Sequence, residues 1–368
     1  MALSRASAAL RGAARAAVVR QAAPAVASSA SLTGARRAMA VDARVVRFSR
    51  NGAPERVLSL ETESVSEDLK PTEVLVRFLA APISPADLAE VEGWDGRAAS
   101  AGVGGNEGVG EVVSAGGSTS FKKGDWVVPS RPGLGTWRTH GVFSGDDLAG
   151  VTSGDLPPEV AATAVQSPGM ALRLLSDFAS LEAGDVIVQN NAASTVGQAV
   201  VQLAAARGIR TVNIMRHRDD HDDIVNHFHG LGADIVVDED FARSREFAAL
   251  LADLPAPKLG LNSVGGSSAT LVARALGEGA TLVSFGAVSR KPLSLPTSLL
   301  VSKDLTLRGF SLARWLEKAT PAQRAEFVAQ SSATGVKQLL AREPFADFTH
   351  ALTRAQESSE RKVVVVME

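Results

Sequence analysis

Apolar and alternating runs of residues recur from Val45 to about Val165 and indicate β-strands. Clusters of Gly, Pro, Asp and Ser separate these runs, which is typical of turns between short strands. The pattern predicts an irregular β-rich domain at the start of the folded chain. The clearest runs are Glu73–Phe78, Gly110–Ser114, Asp125–Pro129 and Trp137–Phe143.

The pattern of apolar residues changes near Ser167, and the new pattern lasts to Phe310. Short apolar runs alternate there with helical stretches, of which Val196–Arg207 is the clearest. Buried strands that alternate with helices favour the α/β class and a doubly wound parallel sheet. The predicted strands are Asp185–Gln189, Thr211–Met215, Ala233–Val237, Leu259–Ser263, Ala280–Phe285 and Leu305–Phe310.

The C-terminal part returns to mixed character. A helix is predicted around Gln323–Gln330, and Val363–Val366 is a late strand with no partner nearby in sequence. We expect this strand to pair with the N-terminal β-rich domain. That domain is therefore predicted to comprise residues 42–166 and 312–368, and the dinucleotide-binding domain residues 167–311.

Composition narrows the functional classes. Of the 368 residues, 45% are hydrophobic and 21% are charged, the net charge is −2, and cysteine and tyrosine are both absent. The missing cysteines exclude disulfides, Cys-ligated zinc, iron–sulfur clusters and thiol catalysis. The small net charge argues against nucleic acid as a partner, and no apolar run approaches the length of a membrane span.

Residues 1–41 differ in composition from the remainder. They contain six arginines and sixteen alanines, and the first acidic residue of the chain is Asp42. An Arg-rich, acid-free segment is typical of an organellar transit peptide, and we expect import into the mitochondrial matrix. A disordered basic tail is the other interpretation. Removal of the segment leaves 32 basic against 40 acidic residues, so the mature chain is acidic.

The turn after the first predicted parallel strand, Gln189–Gln198, is a candidate nucleotide-binding loop. Dinucleotide sites place small residues here, so that the backbone approaches a pyrophosphate at a helix N-terminus. Gly197 is the one glycine of such a fingerprint that remains. Ala193 and Ser194 are small, whereas Thr195 is β-branched. An ordinary strand-to-helix turn is the alternative.

The end of the second predicted parallel strand bears on nucleotide selectivity. NAD-selective sites place an acidic residue there, which binds the ribose 2′-hydroxyl. This chain has Arg216 and Arg218 instead, and two guanidinium groups suit a 2′-phosphate. The sequence therefore favours NADP(H) over NAD(H), with a solvated basic turn as the alternative.

Two further groups of polar residues have open interpretations. His217 and His221 have the i, i+4 spacing of a helical metal pair, but an exposed helix face explains them as well, and we predict no metal. Within the glycine loop Gly104–Gly110, Asn106 and Glu107 either are structural turn residues or line a cleft.

Taken together, these segments resemble the medium-chain dehydrogenase/reductase superfamily, and most of all its mitochondrial trans-2-enoyl thioester reductases of fatty acid synthesis. The resemblance covers roughly residues 43–368. It implies a GroES-like β-rich domain, NADPH, an enoyl thioester on CoA or acyl carrier protein, and a homodimer. The segments that carry it are Ala80–Leu88, Gly104–Val109, Lys123–Val127, Gly133–Arg138, Val196–Val200, Leu261–Gly266 and Leu307–Phe310.

The resemblance also implies which residues bind the nucleotide. Carried over by position, they lie in the turn after the first parallel strand, at the ends of later strands and near the C-terminus. They are Ser167, Ala193, Ser194, Thr195, Val196, Gly197, Arg216, His217, Arg218, Phe285, Gly286, Ala287, Val288, Phe310, Ser311, Leu312 and Lys362.

Three positions depart from the family pattern. Asp95 stands where the family has its catalytic tyrosine, and with the adjacent Trp94 it is the candidate catalytic residue. Met170 replaces a threonine near the nicotinamide, and Thr195 replaces a glycine of the phosphate turn. An ionised aspartate cannot donate a proton to a developing enolate, and it repels the negative charge that forms there.

These departures leave two functional classes open. One is an NADPH-dependent 2-enoyl thioester reductase with an altered or slow active site. The other is a non-catalytic descendant that serves as a subunit of a mitochondrial complex. A zinc-free reductase of another substrate, such as a quinone, is a third and more distant candidate. Fold alone does not decide between them, because function depends on the site.

Overall fold

The protein is represented by a computed structural model, which describes residues 39–94, 102–151, 156–217, 221–357 and 361–368. Its strands are β1 (Ala40–Phe48), β2 (Ser59–Ser66), β3 (Glu73–Ile83), β4 (Gly102–Val103), β5 (Val109–Ala115), β6 (Trp126–Pro129), β7 (His140–Ser144), β8 (Leu148–Val151), β9 (Val186–Asn190), β10 (Arg210–Met215), β11 (Ile235–Asp238), β12 (Leu259–Asn262), β13 (Thr281–Ser284), β14 (Thr306–Gly309), β15 (Leu340–Pro344) and β16 (Lys362–Val366).

Helices connect or flank most of these strands. They are α1 (Pro54–Val57), α2 (Pro85–Glu92), α3 (Pro158–Ala161), α4 (Gln166–Ser176), α5 (Thr195–Ala206), α6 (His221–Gly230), α7 (Arg245–Ala252), α8 (Gly266–Ala275), α9 (Thr297–Ser302), α10 (Leu312–Lys318), α11 (Pro321–Ser332) and α12 (Phe348–Glu357). None of the helices within the described ranges has both the length and the apolar character that a membrane crossing requires.

Six strands form a parallel sheet with the order β11-β10-β9-β12-β13-β14. This is the order of dinucleotide-binding sheets, in which the direction of winding reverses beside the first strand, here between β9 and β12. All five residues of β9 are buried, as expected for a strand covered on both faces. The predicted α/β class with a doubly wound parallel sheet is confirmed.

The β-rich part contains two further sheets. The smaller has the order β2-β1-β4, and the larger has the order β15-β16-β3-β5-β6-β8, with β7 also paired to β3. Trp137 is fully buried in the core of this part and packs on Phe348, with 4.9 Å between ring centroids. Its indole N–H donates to the carbonyl of Pro82 at 3.0 Å, so this buried polar atom has a partner.

The late strand β16 pairs as the sequence predicts. It runs antiparallel to β3, with Val363 opposite Ile83 and Val366 opposite Ala80. Its other edge pairs in parallel with β15. The chain therefore returns to the β-rich part after the parallel sheet is complete, and this return places Lys362 beside the start of α4.

Two details of the β-rich part differ from the sequence prediction. The strand predicted at Trp137–Phe143 begins only at His140, because the residues before it pair with β1, where Val46 N–H donates to the Trp137 carbonyl at 2.8 Å. Strand β1 begins at Ala40, inside the segment 1–41 that was assigned to the transit peptide. Residues 1–38 lie outside the described part of the chain.

Candidate active site

The turn between β9 and α5 forms an open helix N-terminus at the switch point of the parallel sheet. Ser194 is the N-cap of α5, and its hydroxyl accepts a hydrogen bond from the Gly197 N–H at 3.2 Å. The other N–H groups of this first turn have no intrahelical acceptor, so they suit an anion such as a pyrophosphate. A Cβ on Gly197 would lie 2.3 Å from the Ala192 carbonyl oxygen, which explains why this glycine of the fingerprint remains.

A network of polar side chains lies beside this turn. Thr195 Oγ1 is 3.1 Å from Ser167 Oγ, and Lys362 Nζ donates to the same Ser167 oxygen at 3.5 Å. Lys362 is buried and pairs with the buried carboxylate of Glu107 at 2.8 Å. The structure thus brings together three residues predicted to bind the nucleotide, at the junction of the β-rich part and the parallel sheet.

The end of β10 presents the basic residues that the sequence singles out. Arg216 and His217 are exposed, and His217 Nδ1 lies 3.0 Å from a carboxylate oxygen of Asp238 at the end of the neighbouring strand. Within the described ranges, Arg216 makes no hydrogen bond or ion pair, so its guanidinium is available to an anionic ligand. Arg218 lies outside the described residues.

The loops after β13 and β14 contain the remaining predicted nucleotide contacts. Gly286, Ala287 and Val288 are exposed, whereas Leu312 is buried in the hydrophobic core. The exposed Ser311 is the N-cap of α10 and accepts from the Arg314 N–H at 3.3 Å. The side chains that pack together beneath these loops, against the core around α4 and α5, are Met170, Val196, Phe285 and Phe310.

The candidate catalytic position follows α2. Trp94 comes just after that helix, and 54% of its surface is exposed. The guanidinium of Arg290, from the loop after β13, lies 5.2 Å from the centroid of its ring. The same guanidinium forms an ion pair with Glu92. Asp95 lies outside the described residues.

In the glycine loop, Asn106 and Glu107 have different structural roles. Asn106 is a turn residue: its side-chain amide donates to Asp87 at 2.9 Å and Glu90 at 2.6 Å, and its oxygen accepts from Gly133 N–H at 2.6 Å. Glu107 instead faces the domain junction, where it accepts from Lys362 and from the Gln166 backbone N–H at 2.9 Å.

Two contacts of this site were not predicted from the sequence. Glu107 holds Lys362, but an acidic residue within a glycine loop gives no sign of a partner 255 positions away. Arg290 contacts Glu92 across 198 positions, and it lies in a loop that has no local pattern. Pairs this distant in sequence become visible only when the fold is known.

The sequence was compared with family models, and two of them match. Residues 70–168 match the alcohol dehydrogenase GroES-like domain, and residues 195–330 match the zinc-binding dehydrogenase family. The chain itself does not fit zinc, because it contains no cysteine. Among the described residues there is also no cluster of three or more His, Asp or Glu side chains that would hold a metal ion.

Relatives that match most of the chain are named mitochondrial enoyl-[acyl-carrier-protein] reductases. The mitochondrial enoyl-[acyl-carrier-protein] reductase of Dictyostelium discoideum is 41% identical over 333 residues, which cover 88% of this chain and 95% of that protein. The human protein of the same name is 42% identical over 287 residues, covering 77% of this chain and 76% of its own.

Among solved structures, the Etr1p/NADP/crotonyl-CoA complex matches with a TM-score of 0.80 at 26% identity, over 89% of this chain and 100% of that one. The mitochondrial 2-enoyl thioester reductase Etr1p/Etr2p heterodimer of Candida tropicalis matches with a TM-score of 0.79 at 27% identity, with the same coverage. The chain therefore belongs to the mitochondrial enoyl-[acyl-carrier-protein] reductase family of the medium-chain dehydrogenase/reductase superfamily.

Proposed function

We propose that the protein is an NADPH-dependent reductase of 2-enoyl thioesters with an altered active site. The observation that carries this proposal is the open N-terminus of α5 beside the exposed Arg216 at the end of β10. The first suits a pyrophosphate, and the second, with Arg218, suits a 2′-phosphate. Relatives named enoyl-[acyl-carrier-protein] reductases and a neighbour in complex with NADP and crotonyl-CoA support the substrate class.

In this proposal the residues of the chain bind and orient the two reactants. NADPH, when bound, supplies the hydride that the β-carbon of the enoyl thioester accepts. The N–H groups of α5 hold the pyrophosphate, and Lys362, fixed by Glu107, offers a cation at the domain junction. The α-carbon takes up one proton, so the C=C bond is reduced to a single bond while NADPH is oxidised to NADP⁺.

The proton source is the altered part of this active site. The chain contains no tyrosine, so a phenol cannot deliver the proton. Asp95 stands at the family's tyrosine position, and an ionised carboxylate has no proton to donate. Water then supplies the proton, more slowly, because general acid catalysis typically contributes about 10²–10⁴-fold.

The test is steady-state oxidation of NADPH by the purified mature protein with crotonyl-CoA. We expect weak native turnover and an increase in kcat for Asp95→Tyr, because a phenol meets the enolate charge as it forms. Asp95→Ala is the matched control, since it removes the carboxylate without adding a donor. Fast native turnover that Asp95→Ala abolishes would show that the aspartate has taken over the proton transfer.

The absence of tyrosine also favours a second candidate, a non-catalytic subunit of a mitochondrial complex. This candidate predicts that neither the native protein nor Asp95→Tyr oxidises NADPH, and that the native protein does not bind NADPH. It further predicts that the protein from mitochondria elutes in size-exclusion chromatography within a larger assembly. Micromolar binding of NADPH by the isolated protein contradicts this alternative.

We also propose import into the mitochondrial matrix with removal of a transit peptide. The relatives are named mitochondrial proteins, and residues 1–41 have the composition of a targeting segment. Because β1 begins at Ala40, we expect cleavage at or before that residue. N-terminal sequencing of the protein from isolated mitochondria checks this, and a mature chain that still begins at Met1 would contradict it.

A homodimer is the proposed assembly. Strand β14 is an edge strand of the parallel sheet and all four of its residues are exposed, so its backbone groups are open to a second copy. We expect the protein to sediment as a dimer, and we expect Leu307→Pro, which removes a backbone donor on the side of β14 that faces away from β13, to shift it towards a monomer. A native monomer at micromolar concentration would contradict the proposal.

A further inference from the structure

Arg290 joins the end of α2 to the loop after β13. Its guanidinium Nη2 donates to Glu92 Oε2 and lies 5.2 Å from the centroid of the Trp94 ring. The contact spans 198 positions of the sequence and bridges the β-rich part and the parallel sheet. We call Arg290, Glu92 and Trp94 the cleft clasp.

The β-rich side of the cleft clasp is fixed to its own sheet and loops. The side-chain amide of Asn51 donates to the carbonyls of Glu90 and Val91 at 3.0 and 3.2 Å. Gly93 ends α2 in the left-handed conformation with φ 80°, and Trp94 N–H donates to the Ala89 carbonyl at 2.8 Å. The position of Trp94 is thus set by this part of the molecule.

The other side of the cleft clasp is fixed to the parallel sheet. Val288 N–H donates to Ser263 at 3.0 Å, and Ser289 uses both its N–H and its hydroxyl to bind the Val264 carbonyl, at 3.0 and 2.6 Å. Arg290 itself has φ 56°, a left-handed conformation that is uncommon for a residue with a side chain. Such a conformation persists only where the surroundings enforce it, and it is concentrated at functional sites.

The neighbours of the cleft clasp give it a location in the proposed active site. Arg290 follows Val288, the last residue of the loop predicted to contact the nucleotide, by two positions. Trp94 immediately precedes Asp95, the candidate catalytic position. The side chain of Glu92 is 17% exposed and that of Arg290 is 55% exposed, so the pair lies near the surface, where the β-rich part meets the parallel sheet, rather than in the core.

We propose that Arg290 is a positioning residue, which holds Trp94 against the loop after β13 and favours a closed form, in which the β-rich part and the parallel sheet are in contact through Arg290. The inference rests on the proposed binding of NADPH but does not require that the protein reduces an enoyl thioester. A partly exposed ion pair is a weak contact, so it opens and closes readily as ligands enter and leave. Its loss lowers the population of the closed form, and the affinity for a ligand that needs this form falls in proportion.

The test compares variants of the full mature protein. Arg290→Gly removes the side chain and retains the left-handed backbone, Arg290→Lys retains the charge without the planar guanidinium, and Glu92→Gln removes the charge of the partner. Arg354→Ala is the matched control, because it breaks an Arg–carboxylate pair between α12 and β15, away from the cleft. The readouts are the NADPH dissociation constant, the quenching of Trp94 by acrylamide and the thermal midpoint.

We expect Arg290→Gly to weaken NADPH binding about fivefold, the lower end of typical coupling between sites, with an unchanged thermal midpoint. Arg290→Lys binds NADPH more tightly than Arg290→Gly does but less tightly than the native protein. The double variant that combines Arg290→Gly with Glu92→Gln binds NADPH no more weakly than the weaker-binding of the two single variants, because both substitutions remove the same contact. Arg290→Gly also raises the acrylamide quenching of Trp94, measured as the difference from the matching Trp94→Phe protein, whereas Arg354→Ala changes neither the binding nor the quenching.

Three results would overturn the inference. If Arg290→Gly binds NADPH as tightly as the native protein, the cleft clasp does not act on the cofactor, and the proposed function is unaffected. If the effects of Arg290→Gly and Glu92→Gln add independently, the two residues do not act through one contact. If the native protein binds no NADPH, the proposed function and this inference fail together.

Discussion

At the scale of single residues, the proposed selectivity for NADPH rests on Arg216 and Arg218. Arg216 is exposed at the carboxyl end of β10 and makes no ion pair within the described ranges. Asp238, at the end of the neighbouring strand, contacts His217. The exposed guanidinium of Arg216 supports the proposal that it binds a 2′-phosphate.

Replacement of both Arg216 and Arg218 with Ala should reduce the preference of the protein for NADPH over NADH. A hydrogen bond to a charged group contributes about 1.5–3 kcal/mol, so NADPH affinity should fall at least about tenfold. NADH binding should hardly change, because NADH has no 2′-phosphate. Titration of both nucleotides by fluorescence measures the ratio, and Arg274→Ala, an exposed arginine on α8, is the control. Equal affinity of the native protein for the two nucleotides would contradict the prediction.

At the scale of elements, the nucleotide turn depends on a close approach between β9 and α5. A methyl group at residue 197 would meet the Ala192 carbonyl oxygen at 2.3 Å, a distance that real Cβ atoms do not tolerate. Because that oxygen belongs to the backbone, α5 must move away from the turn to make room. The N–H groups that are proposed to bind the pyrophosphate move with the helix.

We therefore expect Gly197→Ala to weaken NADPH binding by about 10²-fold, the cost of misplacing a binding group by about 1 Å. The free energy of unfolding should also fall, by about 1–3 kcal/mol, as in other overpacked sites. Gly230→Ala is the control, since a Cβ there meets nothing within 4 Å and its φ is not positive. Calorimetric binding of NADPH and urea unfolding check both effects, and native-like binding by Gly197→Ala would show that the turn is not the pyrophosphate site.

The elements that could be predicted from the sequence are those with a strong local pattern. Strands β9 and β10 are almost entirely buried because both of their faces are covered, and their apolar residues locate them in the sequence to within a residue. Strand β2 was not predicted, because most of its residues are exposed and polar and an edge of a small sheet imposes no alternation. The same holds for the candidate site residues. Arg216 can be identified from its position directly after β10, whereas the contacts of Glu107 and Arg290 involve partners that are distant in sequence.

At the scale of the whole molecule, two ionic contacts of different character connect the β-rich part to the parallel sheet. Lys362 and Glu107 are both buried next to Ser167, and removal of one partner would leave an uncompensated charge, at a cost of about 3–5 kcal/mol. Arg290 and Glu92 are partly exposed, and a partly exposed pair is a weaker contact than a buried one. The buried pair therefore holds the two parts together more strongly than the exposed pair does.

The response of the whole molecule to pH should depend in part on Glu343, which lies on β15 with its side chain buried. Arg354 and His350, both on α12, bind its two oxygens, the latter at 3.1 Å. The hydrogen bond from Arg354, with a smaller contribution from His350, lowers the pKa of Glu343 below its usual value. The folded-state pKa of Glu343 therefore lies below its unfolded-state pKa of about 4.3, so its ionisation stabilises the folded protein above that pH. This contribution is lost as the pH falls through the folded-state pKa.

Glu343→Gln should therefore lower the free energy of unfolding at pH 7 by about 1 kcal/mol, a small value because Arg354 and His350 are both partly exposed. The difference between Glu343→Gln and the native protein should shrink below about pH 4 as the native carboxylate takes up a proton. Urea unfolding at pH 7, 5 and 3 measures this difference, and Glu278→Gln, which removes an exposed carboxylate, is the control. A difference that stays constant from pH 7 to pH 3 would show that the variant acts through packing, and that the charge of Glu343 does not tie α12 to β15.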